Sequence, residues 1–254
     1  MSRRPANRNR EQLNRTAHVL SGVAASLWTL PVAPISGVAG SVAWVATTSG
    51  YSTAPDLDHR KSALARMWGP VSEVPAWVVR TVFGHRGKTH HPLAVIFAWV
   101  IVAAILSGVA VPWLAWALGE WRGPDAARYA ATIGNAAWLL TVAWSIGLAL
   151  AAAKISGWLN LAISLLGAGA VHYLNVPLGW LPWAAALGIA AHLAGDFITK
   201  MGLPIAKGKR SRVPLVAITT GKTGERVVKT ILAAAIALSP PVLAFYAHLN
   251  TVLA

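Results

Sequence analysis

Five runs of this chain contain no Asp, Glu, Lys or Arg: residues 16–55, 93–119, 129–153, 155–195 and 230–254. A helix needs about 20 apolar residues to cross a bilayer, so most of these runs can cross at least once. Hydrocarbon offers the backbone no hydrogen bonds, and a helix supplies its own, so the crossings are expected to be helical. Composition agrees: 12% of residues are charged, against about 25% in ordinary soluble domains. Thirteen Trp and 22 Gly fit a bilayer protein. With no Cys, disulfides, thiolate metal sites and a cysteine nucleophile are excluded.

Breakers divide the runs. Pro31, Pro34 and Gly37 split 16–55 into helices near 17–30 and 36–53, the first short enough to be tilted, re-entrant or interfacial. Residues 93–118 form a span bent at Pro112, and 129–152 form the next. Asn175, Pro177, Gly179 and Pro182 make a helical hairpin of about 156–174 and 183–200, and a last helix over 229–253 kinks at Pro240-Pro241. The expected fold is all-α: one polytopic membrane bundle over 16–254 with about six or seven segments, preceded by a basic disordered arm over 1–15. That basic start followed by a short apolar run lacks a clear small-residue cleavage site, so it does not read as a signal peptide.

The net charge of +14 is not spread evenly: 19 of the 22 Lys and Arg lie in segments 1–15, 60–88 and 200–229. Positively charged loops stay in the cytoplasm, so segments 1–15, 56–92 and 200–229 are expected there. Alternating crossings then put 119–128 and 175–182 outside and Lys154 inside, without conflict. Trp113, Trp116 and Trp121 fall near one outer turn and Trp180 and Trp183 near the other, as an aromatic belt requires.

The ionisable residues that remain gather in three clusters, all on the expected inner face. Asp56, Asp58 and His59 follow Pro55; in extended backbone the two carboxylates point the same way, a hard and borderline ligand set suited to Zn or Mn. Taken alone, this cluster reads more simply as a solvated helix start with Asp as its cap. His85, His90 and His91 stand with Arg86 and Lys88 just before Pro92, in a loop that can aim His85 and His90 at one point. Next to a helix N-terminus it also suits an anion; the simpler reading is a basic juxtamembrane loop. His192 and Asp196 are an i, i+4 pair, a standard way for one helix to present two metal ligands. Asp196 is the one acid inside an expected span, where an unpaired carboxylate is costly. Among single residues, His18 lies near the same face and can join as a ligand. Glu225 reads as ligand, base or helix cap, and His172 and His248 as structural.

With PDLDHRKS (55–62), FGHRGKTH (83–90), LGIAAHLAGDFITKMGLP (187–204) and TGKTGE (220–225), the chain resembles the YdjM family of LexA-regulated inner-membrane metal-dependent hydrolases. The likeness runs from His18 to Glu225; His91 stands where the pattern has Ser, and Lys200 where Pro is common. It implies a helical membrane hydrolase with Asp56, Asp58, His59, His85, His90, His192 and Asp196 as metal-site residues. It also implies a distant similarity to zinc-dependent phospholipase C and single-strand nucleases.

The leading expectation is therefore a phosphoester hydrolase of the inner membrane, its site facing the cytoplasm. One to three divalent ions, Zn ahead of Mn, would activate water. Asp58 or Glu225 would take the proton, and Arg86, with Lys88 behind it, would stabilise charge on a phosphoryl group. The partners are membrane lipids and an anionic phosphate-bearing substrate, a lipid headgroup ahead of nucleic acid. Two other classes compete: a structural metal staple or transport path, and a basic membrane anchor for DNA or protein. A transporter should place ionisable groups near the bilayer midplane, whereas these cluster at one side.

Overall fold

The computed structural model describes residues 6–59, 62, 64–83, 90–110, 124–198, 203–206, 209–211 and 223–253. The breakers act where expected. Helix α1 (Ala6–Thr29) ends in a 3-10 turn, Leu30–Val32, that holds Pro31. After an extended Ser36 the chain enters α2 (Gly37–Tyr51). Then come α4 (Leu93–Leu106), α5 (Pro124–Ala152), α6 (Trp158–Tyr173) and α7 (Leu181–Phe197). The single helix expected over 229–253 is two, α8 (Thr223–Ala237) and α9 (Pro240–Leu253), because Pro240 and Pro241 open a new helix better than they continue one. The bend expected at Pro112 lies outside the described residues.

Three expectations are corrected. Residues 6–15 are helical, not a disordered arm: α1 simply continues toward the N-terminus, and propagating a helix from an existing nucleus is far easier than starting one. An unexpected helix, α3 (Pro70–Phe83), interrupts the basic segment. A two-stranded antiparallel ribbon, β1 (Leu203–Ala206) with β2 (Lys209–Ser211), adds a small exception to an otherwise all-helical fold.

Among the described residues, one stretch, Tyr129–Ala152 within α5, is long and apolar enough to cross a bilayer unaided, and Leu93–Leu106 is a shorter apolar helix. The other charge-free runs are cut by Pro and Gly into pieces of 14 to 17 residues.

Helices α2 and α7 form the centre. Helix α2 packs on α1, α5 and α7, and α7 on α1, α2 and α4. Missing side chains make this close. A Cβ at Gly188 of α7 would lie 2.7 Å from Tyr51 Cβ and 2.9 Å from Ser52 N, and also press on the Thr48 carbonyl. A Cβ at Gly22 of α1 would lie 2.6 Å from Ser52 Oγ, and one at Gly50 of α2 would lie 2.7 Å from Ala149 N of α5. Gly188 thus permits the close approach of α7 to α2. The core beneath includes Tyr51, Leu64, Met67, Leu148, Leu181 and Ile189.

A buried polar network ties the 64–69 turn to α5 and α6. Trp68 Nε1 donates to Asn160 Oδ1 (2.9 Å), while Asn160 Nδ2 donates to the carbonyls of Gly147 (3.0 Å) and Ile155 (2.9 Å). Asn160 is fully buried, so every one of these bonds replaces water it cannot reach. Helices α5 and α6 end in left-handed residues, Lys154 (φ 67°) and Asn175 (φ 50°), which let the following N–H groups close the last carbonyls.

Candidate metal centre

Three helix ends meet at one point beside α1. Helix α2 leaves Ser52, Thr53 and then a 3-10 turn, Ala54–Asp58, that carries Asp56. The turn leading into α4 begins at His90, and Pro92 stands immediately before the helix. The last turns of α7 carry His192 and Asp196. His18 comes from the middle of α1.

Their side chains converge. His192 Nε2 lies 3.4 Å from Asp196 Oδ2, and His90 Nε2 lies 3.5 Å from the same oxygen. His18 Nε2 is 3.7 Å from Asp196 Oδ1, and His90 Nε2 is 3.9 Å from Asp56 Oδ1. The His18 and His192 rings stack, centroids 3.8 Å apart and 18° from parallel; His90 meets His192 edge-on at 5.2 Å. Two triads of potential ligand atoms result, each within 4.8 Å: His18, His192 and Asp196, and Asp56, His90 and His192. His192 belongs to both.

One hydrogen bond determines what His192 offers. Its Nδ1 lies 2.8 Å from the Ser52 carbonyl oxygen. A carbonyl only accepts, so Nδ1 carries the proton, and in the neutral ring Nε2 presents its lone pair inward, the arrangement seen in metal-ligating His. Ser52 also shares its hydroxyl proton between the carbonyls of Ser49 and His18, each 2.7 Å away. It thereby joins α1, α2 and α7 at the centre. No sequence signal pointed to Ser52, because its contribution is largely a backbone oxygen.

The donor chemistry suits a divalent ion. Ligand atoms about 2.0–2.1 Å from a tetrahedral ion are about 3.3–3.4 Å apart. The observed separations of 3.4–3.9 Å lie nearer that spacing than the about 2.7–2.9 Å of a charge-assisted hydrogen bond. Three imidazoles and two carboxylates are a borderline-to-hard set that fits Zn or Mn. His192 and His90 are fully buried, while the Asp56 side chain keeps 32% exposure, so the centre opens on the Asp56 side.

Five residues expected from sequence are thus brought together: His18, Asp56, His90, His192 and Asp196. The expected extended Asp56-to-Asp58 segment is instead a 3-10 turn, in which residues two apart do not share a face. Pro55, with its fixed φ, starts such a turn as readily as it extends a strand. His59 closes this turn and belongs to neither triad. Glu225 lies outside both as well: it is buried in the first turn of α8, 2.7 Å from Lys229 Nζ. The side chain of Asp58, and all of His85, Arg86 and Lys88, lie outside the described residues. Gly195 faces His18 of α1 at ordinary contact distance.

No curated protein and no solved structure matches the chain. The family model described as YdjM inner membrane protein matches residues 13–251, a range that holds all five converging residues. A charge-poor helical chain matched over nearly its whole length by that model belongs to the YdjM inner membrane protein family.

Proposed function

We propose that this protein is a membrane-bound metal-dependent hydrolase of phosphoesters, working at the cytoplasmic surface of the inner membrane. The observation that carries this reading is the pair of triads sharing His192. Because Nδ1 of His192 is committed to Ser52, a single lone pair serves both triads, so they describe one five-residue centre and not two separate ones. In this reading His18, His90, His192, Asp56 and Asp196 hold the ion. When bound, the metal supplies Lewis acidity and an activated water at neutral pH.

The chain's own residues supply the rest. Ser52 holds His192 in the ligating tautomer, and the stack of His18 on His192 fixes both ring planes. Glu225 is engaged by Lys229, so the proton-accepting role falls to Asp58, two residues beyond the ligand Asp56. Arg86 and Lys88, a few residues before His90, are the cations for an anionic substrate, consistent with the basic 60–88 segment.

Elemental analysis of detergent-purified protein tests the reading. Wild type and His172→Ala should carry near-stoichiometric zinc or manganese and hydrolyse a phosphodiester. His192→Ala and Asp196→Ala should lose both while still inserting in the membrane. Full metal content in the His192→Ala/Asp196→Ala protein would end the proposal.

A further inference from the structure

Helix α3 has two apolar faces and one charged edge. Ser72 and Ala76 are buried against the 3-10 turns that carry Asp56 and Leu64. On the opposite side Val71, Val74, Trp77 and Val78 stand exposed, by 46%, 64%, 57% and 43%. They recur at i, i+3, i+6 and i+7, one stripe of a helix. Glu73 and Arg80 are two turns apart on a single line between the faces.

Several features say what covers the outer stripe. Helix α3 has 14 residues, about 21 Å at 1.5 Å per residue, too short for a hydrocarbon core of about 30 Å. Pro75 lies inside the helix and has no N–H for the Val71 carbonyl, a gap in the helical ladder that suits the headgroup level better than hydrocarbon. Thr81, on the outer face, satisfies its hydroxyl on the Trp77 carbonyl at 2.9 Å, as a side chain facing lipid must. Residues 60–88 hold six Lys or Arg against one acid, Glu73, a charge that suits anionic lipid. Trp at the boundary of an amphipathic helix favours the same level of the bilayer.

We infer that α3 lies in the plane of the membrane among anionic headgroups, its Val71, Val74, Trp77 and Val78 face set into the acyl boundary. The helix packs on the turn that holds Asp56 and precedes His90 in sequence, so this seating puts the five-residue centre at the lipid surface. Its substrate is then the phosphoester headgroup of a membrane lipid. The substrate statement rests on the hydrolase reading; the seating of α3 does not.

The absence of Cys allows a direct test. Full-length Val74→Cys, Val78→Cys and Glu73→Cys proteins carry a nitroxide and are reconstituted in phosphatidylethanolamine–phosphatidylglycerol vesicles. Power saturation then compares dissolved oxygen, which partitions into lipid, with an aqueous nickel chelate. Labels at 74 and 78 should be reached by oxygen and shielded from nickel, at a shallow depth; the label at 73 should show the reverse. Equal nickel access at 73 and 74 would overturn the seating. So would shielding of 74 and 78 from both reagents, which a covering protein would cause, or a midplane depth. Separately, Val74→Asp should slow hydrolysis of vesicle phospholipid and leave a soluble phosphodiester unaffected. Cleavage of single-stranded DNA but not lipid by wild type would reject the substrate while leaving the α3 result standing.

Discussion

Replacing Gly188 by Ala adds one methyl group where α7 crosses α2. The new Cβ would sit 2.7 Å from Tyr51 Cβ and 2.9 Å from Ser52 N. Carbon atoms at rest are about 3.5 Å apart, so α7 must retreat by about 0.8 Å. Two of the three nearest atoms are backbone, the Thr48 carbonyl oxygen and Ser52 N, and cannot rotate away. The same retreat, carried one turn to His192, stretches its 2.8 Å bond to the Ser52 carbonyl to about 3.6 Å, beyond hydrogen-bond range. Overpacking of this kind costs about 1–3 kcal/mol, and His192 loses the contact that fixes its tautomer. Gly134→Ala and Gly169→Ala are the comparators, because a Cβ there meets nothing within 4 Å. Each should be neutral or stabilise by up to about 0.5–1 kcal/mol. Thermal unfolding in detergent, with and without chelator, and zinc titration read both effects. Gly188→Ala should unfold earlier and bind zinc more weakly, whereas the comparators should do neither. A Gly188→Ala protein as stable as Gly169→Ala, with unchanged zinc affinity, would refute the argued role of this crossing.

Two further outcomes follow from the same geometry. Metal affinity should weaken as pH falls, because His18, His90 and His192 must each be neutral to ligate and protons compete with the ion; titrations that are flat from neutral to mildly acidic pH would rule the imidazoles out as ligands. Asn160→Leu should destabilise the protein by at least the about 1–3 kcal/mol of a buried polar group losing its partner, since the Gly147 and Ile155 carbonyls and Trp68 all bond to that amide; unchanged unfolding would show the network to be dispensable.

The sequence by itself determined the helical character, the breakpoints and which residues could serve as ligands. Charge-free runs dictate helices, and Pro31 and Pro240-Pro241 interrupt them because a ring without an N–H does so wherever it stands. His192 and Asp196 were legible as a pair because helical periodicity places i and i+4 on one face. Asp56, His90 and His18 were legible only as polar residues near one expected surface, since their partners are distant in the chain. Tertiary structure alone decided that these five meet, that Glu225 pairs with Lys229 outside them, and that the Ser52 carbonyl orients His192. A backbone oxygen leaves no mark on composition or spacing. Helix α3 has helical spacing in the sequence, with Val71, Val74, Trp77 and Val78 on one stripe, but its faces meet two surroundings, the protein core at Ser72 and Ala76 and, as proposed, lipid at the stripe. Spacing marks a helix and its faces; what covers each face depends on residues distant in the chain, and only the fold brings those together.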